Sequence, residues 1–341
     1  MGARQRPAER RADRVDRRAR RSSAETGVTG PTEGPVLPTG AQYEIIGTTS
    51  FGRAVVTVTE VAASLRSFTV DDVDIVQRYP LDAPPSRGAG IIMSPWPNRV
   101  DGGIWTYEGD EQQLDITDTE FGNASHGLLK NTPYRLLAHS ASSITLGATI
   151  FAHPGYPFVV DTTVTYTLGR DGLHVTHTFE NRGALRAPVA VGSHAYFRIG
   201  EVPTSELVLS CSAETVYVND SRKLPLRPVP VSGDFDLRRG VKVGDVELDD
   251  CFTDQRYSDE RTSTMLTAPD GRSVTVWGDE SFGHTVICTT DVFLDEHRLL
   301  VDAIAIEPQT AAVNALNNGI GLTWLEPGES WEASWGVTAS L

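Results

Sequence analysis

Most of the chain alternates hydrophobic and polar residues with a period of two, which is the pattern of half-buried β-strands. The clearest stretches are 55–59, 159–168 and 173–179, all rich in β-branched residues. Near the C-terminus, four apolar residues also fall on one strand face: Trp331, Ala333, Trp335 and Val337. No segment keeps a helical period over three turns. The pattern therefore predicts an all-β protein.

Turn signals separate the predicted strands. Asp171-Gly172 lies between two of them, and this dipeptide is a strong hairpin signal. Pro269-Asp270-Gly271 predicts a second hairpin, which joins residues 264–267 to residues 273–277. Turn signals recur about every 8–15 residues without a fixed repeat. This spacing predicts a large β-sandwich or barrel of mostly antiparallel strands.

The first 40 residues differ from the rest of the chain. Residues 1–21 carry nine Arg against three acidic residues, and residues 27–40 are rich in Gly, Pro and Thr. We expect residues 1–40 to be a disordered tail and linker, and residues 41–341 to be one β domain. The tail lacks the apolar centre of a signal peptide, and no apolar run approaches the roughly 18 residues of a membrane helix. A cytoplasmic protein without a membrane partner is the expectation.

Charge and cysteine content narrow the possible functions. Outside residues 1–21 the chain has 21 basic and 42 acidic residues, which disfavours nucleic-acid binding and a strongly anionic substrate. The three cysteines form no Cys-x-x-Cys pair, so neither a disulfide framework nor a zinc site is predicted. His174 and His177 fall on opposite faces of one strand and cannot share a metal. We expect no metal and no cofactor, in a monomer or homodimer.

Glu307 is the strongest candidate for chemistry. The apolar stretch 303–306 is interpreted as a strand that ends in this carboxylate, and Pro308 biases its backbone towards extended angles. A carboxylate held beside the amide- and Gly-rich turn 314–319 suits a general base in a cleft for a polar ligand. The alternative is a Glu that simply ends a strand in solvent.

A histidine provides a second candidate. Residues 189–198 are interpreted as one strand that places His194, Tyr196 and Arg198 on the same face. Histidine changes charge near neutral pH and can donate or accept a proton there. The alternative is a buried His that only hydrogen-bonds its neighbours.

A loop at residues 94–100 offers groups that bind polar ligands. Two prolines stiffen it, and it presents Trp96, Asn98 and Arg99. An aromatic ring can stack on the apolar face of a sugar, while the amide and guanidinium groups can bind its hydroxyls. The alternative is a stiff connection whose Arg pairs with a surface acid.

Two further segments carry polar candidates. His126 precedes Gly127, where the backbone can turn sharply or approach a ligand. Asp249 and Asp250 stand together, and one of them could accept hydrogen bonds from vicinal hydroxyls. Ordinary turns would also explain both segments.

Taken together and in order, these segments resemble the aldose 1-epimerase (mutarotase) family. They cover the chain from about residue 43 to its C-terminus: Pro95-Trp96-Pro97-Asn98-Arg99, His126-Gly127, Gly192-Ser193-His194-Ala195-Tyr196-Phe197, Asp249-Asp250-Cys251-Phe252, Ile306-Glu307-Pro308 and Pro327-Gly328-Glu329-Ser330. The resemblance implies a large β-sandwich with a concave sugar-binding face.

The resemblance also implies roles for individual residues. Glu307 would be the general base and His194 the general acid, while Arg99, His126 and Asp249 would bind sugar. Asn98 and Tyr196 complete the predicted sugar-binding set, because Asn98 offers both a donor and an acceptor and Tyr196 shares the predicted strand face of His194. The implied reaction interconverts the α and β anomers of a free aldohexose such as galactose, without a cofactor or metal.

Three positions depart from the family pattern. Ala195 stands where Pro is usual, Gln309 where Met is commoner, and Tyr134 where a Trp is often found. These departures leave the substrate more open than the reaction.

Three other functions remain open at this point. A hexose-6-phosphate 1-epimerase would need a cationic cluster, for which the sequence offers Arg99 and Arg198. A glycoside hydrolase or lyase would pair Glu307 with Asp249 or Asp250. A carbohydrate-binding or sensing module would bind sugar on the same fold without turning it over.

Overall fold

The computed structural model describes residues 36–341, and the predicted tail lies almost wholly outside them. No helix in residues 36–341 is long and apolar enough to cross a membrane. The one α-helix in this range is α1, the single turn Ala315–Asn318. Short 3-10 turns occupy Ser86–Gly88, Asp101–Gly103, Thr204–Glu206, Gly233–Phe235, Leu237–Arg239 and Val243–Asp245.

Strands make up roughly half of the described chain and are numbered in chain order. They are β1 (Gln42–Thr49), β2 (Gly52–Thr59), β3 (Leu65–Val70), β4 (Val73–Asp74), β5 (Ile92–Met93), β6 (Arg99–Val100), β7 (Ile104–Tyr107), β8 (Asp110–Gln113), β9 (Ala124–Ser125), β10 (Arg135–His139), β11 (Ser143–Ile150), β12 (Val160–Gly169), β13 (Gly172–Asn181), β14 (Ala187–Val189), β15 (Gly192–Ser193), β16 (Tyr196–Phe197), β17 (Val208–Cys211), β18 (Thr215–Asn219), β19 (Pro225–Pro230), β20 (Val241–Lys242), β21 (Asp249–Thr253), β22 (Thr262–Thr267), β23 (Ser273–Gly278), β24 (His284–Leu294), β25 (Leu300–Gln309), β26 (Thr323–Leu325) and β27 (Ser330–Ser340). All pairs between these strands are antiparallel.

A nine-stranded sheet forms one side of the molecule, in the order β10-β11-β12-β13-β27-β23-β22-β17-β20. Both predicted hairpins lie in it. Gly169 pairs with Gly172 at the β12–β13 turn, and Thr267 pairs with Ser273 at the β22–β23 turn. Buried and half-buried residues alternate along β12, as its sequence pattern predicts.

An eight-stranded sheet forms the other side. Seven strands follow the order β19-β18-β21-β24-β25-β15-β5, and β16 also pairs with β25. A four-stranded sheet, β1-β2-β3-β4, and three two-stranded pairs complete the fold: β6 with β9, β7 with β8, and β14 with β26.

The inner faces of the sheets share one hydrophobic core. Trp335 and Val175 of the nine-stranded sheet belong to the same buried cluster as Ile304 and Ile306 of β25 and Ile45 of β1. This arrangement is a β-sandwich, and it matches the prediction of a large, mostly antiparallel sandwich. The burial of three residues of the last strand, Ala333, Trp335 and Val337, also matches their predicted position on one inward face.

The strand β25 has a second face that points away from this core. Because side chains alternate, Ala305 and Glu307 lie opposite to Ile304 and Ile306. Across the ladder to β24, Glu307 pairs with Val286. The outer face of the eight-stranded sheet therefore carries the carboxylate.

Candidate active site

All seven predicted site residues line one cavity. It has a volume of about 420 Å³ and lies on the outer face of the eight-stranded sheet, and we call it the central cavity. Strands β21, β24 and β25 form its floor, and loops from the first half of the chain form its walls. The seven residues are Asn98, Arg99, His126, His194, Tyr196, Asp249 and Glu307.

Glu307 lies within β25 and does not end it, contrary to the sequence interpretation. The strand continues to Gln309 because Ile306 and Thr310 donate backbone N–H groups to Ala195 and Val191, on either side of Pro308. Proline lacks an N–H, and here the neighbouring residues maintain the ladder. Backbone hydrogen bonds before and after Glu307 therefore fix the strand that carries its carboxylate.

The Glu307 carboxyl group is buried and has one partner for each oxygen. Its side chain is 3% exposed, and Oε1 lies 3.3 Å from Nε2 of His194. Gln309 donates its Nε2 hydrogen to Oε2 over 3.0 Å. This geometry puts a carboxyl group and an imidazole in direct contact in the lining of the central cavity.

Burial changes the pKa values of both groups in opposite directions. It raises the pKa of Glu307 to about 8, and the nearby Asp249 carboxylate adds to the increase. It lowers the pKa of His194 to about 4. Between these pH values the raised pKa of Glu307 leaves its carboxyl group protonated and the lowered pKa of His194 leaves its ring neutral, so the two groups together hold one proton. A pair with a single shared proton can supply both an acid and a base.

His194 comes from a segment that is not one strand. Residues 189–198 contain the end of β14 and all of β15 and β16. β14 pairs with β26, β15 pairs with β5 and β25, and β16 pairs with β25. The His194 backbone joins the short stretch 90–91, accepting from Gly90 and donating to Ile91. Its ring lies 5.5 Å from that of Tyr196 in a stacked arrangement.

Arg198 was expected beside His194, and this expectation is wrong. Because the strand is broken, the Arg198 side chain points away from His194 and lines a separate cavity together with Glu201 and Asp302. Its Nε donates to the Gly200 carbonyl over 2.7 Å, which holds it there.

Arg99 enters the central cavity from the short strand β6, which pairs with β9. Its Nε donates to Asp118 Oδ2 over 2.8 Å, and its guanidinium lies 5.2 Å from the centre of the Phe121 ring. One side of the guanidinium is fixed in this way. Its remaining donors have no hydrogen-bond partner within residues 36–341 and can bind a ligand.

Asn98 and His126 adopt left-handed backbone angles, with φ of 55° and 61°. His126 donates its backbone N–H to the Asn98 carbonyl over 2.8 Å, so the two loops hold each other. The Asn98 Oδ1 atom is buried and has no donor within residues 36–341. Loss of contact with water, and the nearby His194, lower the pKa of His126 well below its usual value, so its ring is neutral.

Trp96 was expected to present its ring to a ligand, but it does not. The side chain is buried against Tyr156, with ring centres 6.0 Å apart, and it is absent from the central cavity. The loop therefore places Asn98 and Arg99 at the central cavity and the Trp96 ring in the hydrophobic core.

Asp249 begins β21 and lies on the cavity floor. Lys223 Nζ lies 3.1 Å from its Oδ2 atom, and Asn219 donates to its carbonyl over 3.0 Å. Asp250 points elsewhere and does not line the cavity, although burial raises its pKa. Of the two adjacent acids, therefore, only Asp249 can contact a ligand in the central cavity.

Sequence reasoning missed two cations of the central cavity, Arg87 and Lys130. Lys130 donates to Ser125 Oγ over 3.2 Å, and neither cation has an acidic partner within 4 Å among residues 36–341. Arg87 lies in the 3-10 turn Ser86–Gly88 and Lys130 in a turn between strands, where strand alternation gives no signal. Lys130 stands four positions after His126, and that proximity to a predicted site residue was the one available hint.

Comparison with known proteins gives a consistent result. The aldose 1-epimerase family profile matches residues 46–338. An uncharacterized protein of Escherichia coli (strain K12), YihR, is 29% identical over 275 residues, which are 80% of this chain and 86% of that protein. A maltose epimerase of Levilactobacillus brevis is 27% identical over 228 residues, covering 60% of this chain and 66% of that protein.

Solved structures share the fold at low sequence identity. A GalM/aldose epimerase homologue from C. elegans superposes with a TM-score of 0.77 at 19% identity, covering 88% of this chain and 99% of that one. Galactose 1-epimerase from Lactobacillus acidophilus gives a TM-score of 0.69 at 18% identity, covering 87% and 95% of the two chains. The sandwich architecture is therefore the one that these proteins have.

Proposed function

The chain belongs to the aldose 1-epimerase family, and on that basis we propose that it interconverts the α and β anomers of a free aldohexose. The observation that carries this proposal is the contact between Glu307 and His194, which lie 3.3 Å apart in the lining of the central cavity. Anomer exchange needs a base and an acid within reach of one sugar ring, and it needs no redox chemistry.

In the proposed mechanism Glu307 takes the proton of the anomeric hydroxyl while His194 gives a proton to the ring oxygen. The bond between the anomeric carbon and the ring oxygen then breaks, and an open-chain aldehyde forms. Rotation about the C1–C2 bond exposes the other face of the carbonyl group. Closure reverses both proton transfers and returns the pair to its starting state.

The single shared proton makes this cycle self-consistent. The reactive arrangement has Glu307 ionised and His194 protonated, which differs from the resting arrangement only in which atom holds the proton. Since the two atoms are in contact, a short transfer interconverts these arrangements. Activity is expected between about pH 4 and about pH 8, where the pair holds one proton.

Sugar hydroxyl groups would be bound by the other cavity residues. Arg99 offers its free guanidinium donors, and neutral His126 can donate or accept. Asp249 would accept from a hydroxyl while Lys223 holds its other side. Asn98, whose Oδ1 atom lacks a donor within residues 36–341, would accept another hydrogen bond.

A hexose 6-phosphate is the second candidate substrate. Arg87 and Lys130 favour it, because two cations without acidic partners in the described part of the chain line the same cavity. Phosphate groups are commonly bound by such donors. The proposed chemistry at Glu307 and His194 would be the same.

Polarimetry tests the proposal. Freshly dissolved α-D-glucose, α-D-galactose and α-D-glucose 6-phosphate should approach their equilibrium rotation faster with the protein than without it. Glu307→Gln should lose roughly 10²–10⁴-fold in rate, because the isosteric amide cannot act as a base. Glu332→Gln, at an exposed position on β27, is the matched control and should keep the rate.

The outcomes separate the candidates. A preference for the phosphorylated sugar that is lost in Arg87→Met would favour the second substrate. A full rate in Glu307→Gln would exclude this residue as the base. Sugar binding without any acceleration would identify a binding module instead of an enzyme.

A further inference from the structure

We propose that Gln309 is a positioning residue that holds the Glu307 carboxylate and stabilises its ionised form. This inference rests on the proposed function, because it concerns the group proposed there as the base. It assigns a task to one of the positions at which the sequence departs from the usual family pattern.

The contact is direct and fully buried. Gln309 has no exposed surface, and its Nε2 atom lies 3.0 Å from Glu307 Oε2. The two residues stand two apart on β25, so their side chains share the outer face of the strand. Gln309 does not itself line the central cavity. It therefore reaches the reaction only through Glu307.

The hydrogen bond fixes which carboxylate oxygen faces the reaction. Within residues 36–341, Gln309 binds Oε2 and His194 lies next to Oε1. A carboxylate anchored by one oxygen has lost most of its rotational freedom about the terminal bond. The other oxygen is then presented in a constant direction towards the proton it exchanges.

The packing around Gln309 keeps its side chain in place. Its backbone pairs with Gly192 on one side and His284 on the other. A Cβ atom added to Gly192 would lie 2.9 Å from Gln309 Cγ and 2.9 Å from Met93 Cε. The glycine thus provides the space that the amide side chain occupies.

A purely structural role does not explain an amide at this position. The Gln309 Oε1 atom is buried and has no hydrogen-bond donor within residues 36–341, which is unfavourable. Methionine would fill a similar volume without that penalty. The amide is useful here because its N–H group donates to the carboxylate.

The hydrogen bond opposes the forces that keep Glu307 protonated. Burial and the Asp249 carboxylate both favour the neutral acid, and Gln309 is the strongest group that counteracts them. A donor to the charged form favours ionisation. Without it, the reactive arrangement with ionised Glu307 and protonated His194 becomes rarer.

The pH profile of Gln309→Met tests this directly. Loss of a hydrogen bond to a charged group should raise the Glu307 pKa by about one unit. The maximum kcat/KM should fall about tenfold, and the alkaline limb should move up by about one pH unit. The acid limb should stay at the wild-type pH. Above the alkaline limbs of both proteins, where Glu307 is ionised in each, wild type and Gln309→Met should have the same kcat/KM.

Gln255→Met is the matched control. Gln255 is also a buried amide, but it donates to Thr285 Oγ1 over 2.8 Å and does not touch Glu307. This variant should keep the wild-type pH limbs whatever it does to stability. A loss in Gln309→Met that is equal at every pH would show a merely structural role and would overturn the proposal.

A second readout is independent of activity. The Glu307 carboxyl can be titrated by carbon NMR in protein labelled at glutamate side chains, with Glu307→Gln to assign the signal. The Glu307 pKa should be higher in Gln309→Met than in wild type, even if no sugar is turned over. An unchanged pKa would reject the role of Gln309, whereas a changed pKa without any mutarotation would reject only the proposed function.

Discussion

At the scale of single residues, His177 shows how strongly the core selects one protonation state. Its ring has no exposed surface, and Trp335 donates its indole N–H to the ring Nε2 over 3.0 Å. Burial lowers the pKa of His177 to about 3. The ring is therefore a neutral acceptor in the folded protein over the physiological range.

This state makes stability depend on pH. In the unfolded chain His177 binds a proton near its ordinary pKa of about 6.5, while the folded protein resists protonation down to about 3. The contribution of the neutral ring is fully present above the unfolded pKa and is lost as pH falls below it. Between pH 7 and pH 5 this residue alone should remove about 2 kcal/mol from the free energy of unfolding.

We predict that His177→Gln reduces this pH dependence. Glutamine keeps an acceptor for Trp335 but does not titrate. From pH 7 to pH 5 the free energy of unfolding should therefore fall by about 2 kcal/mol less in the variant than in wild type. Urea unfolding at the two pH values measures it. His297→Gln, whose side chain is 74% exposed, should keep the wild-type slope. Equal slopes in His177→Gln and wild type would contradict the burial argument.

Motif order predicted which polar residues line the central cavity more reliably than strand alternation did. Glu307, His194, Arg99, His126 and Asp249 were found because each stands in a short motif with a recognisable order. Arg198 was misplaced because alternation was extended through a segment that breaks into separate short strands, and Trp96 was misplaced because its loop buries the ring against Tyr156. Arg87 and Lys130 were missed because only the folded loops bring them to the cavity.

At the scale of elements, the loop around Gly127 depends on a close backbone approach. Gly127 has φ of 71°, and an added Cβ atom would lie 2.0 Å from the Ser94 carbonyl oxygen. That oxygen accepts backbone N–H groups from Leu128 and Leu129. The glycine therefore joins the loop that carries His126 to the one that carries Asn98 and Arg99.

We predict that Gly127→Ala is strongly destabilising and also lowers activity. Left-handed backbone angles cost an alanine about 1–2 kcal/mol, and the overlap with fixed backbone should bring the loss to about 3 kcal/mol or more. Displacement of His126 should raise KM for the sugar. Urea unfolding and anomer-exchange kinetics measure the two effects.

Gly319 provides the control for this substitution. Its φ of 74° matches that of Gly127, but an added Cβ atom would meet nothing within 4 Å. Gly319→Ala should therefore lose only the backbone term of about 1–2 kcal/mol. If the two alanine variants were equally stable, close contact with Ser94 would not be what requires glycine at position 127.

Long strands and tight hairpins were predictable from local pattern, and short strands were not. The β12–β13 and β22–β23 hairpins follow from their Asp-Gly turns and alternating flanks. Strands such as β5, β15 and β16 have two residues each, which is too short to show a period. Pairing with β25 or with each other defines them, and these partners are distant in sequence.

At the scale of the whole molecule, the last strand joins the two halves of the nine-stranded sheet. β27 pairs with β13 over eight residue pairs and with β23 over six. No local signal identifies these neighbours, because β13 lies some 150 residues earlier in the chain. The sequence predicted the strand and its buried face but not its central position.

We therefore predict that a chain ending at Pro327 cannot form the native sandwich. It would lose Trp335 and Val337 from the main core and leave β13 and β23 as two unpaired edges. Removal of one large buried aromatic side chain costs about 3–5 kcal/mol, and a typical domain has about 5–15 kcal/mol in total. Exposed strand edges also promote aggregation.

Circular dichroism, thermal unfolding and solubility of the chain ending at Pro327 measure this effect. A chain ending at Ala339 is the control, because it lacks only the exposed Ser340 and Leu341 and should unfold within a few degrees of wild type. The shorter chain should be insoluble or should unfold without a cooperative transition. A soluble, cooperatively unfolding chain ending at Pro327 would mean that the two halves of the sheet hold together without β27. The central cavity lies on the other sheet, so its loss in the shorter chain would follow from the shared core and not from any missing site residue.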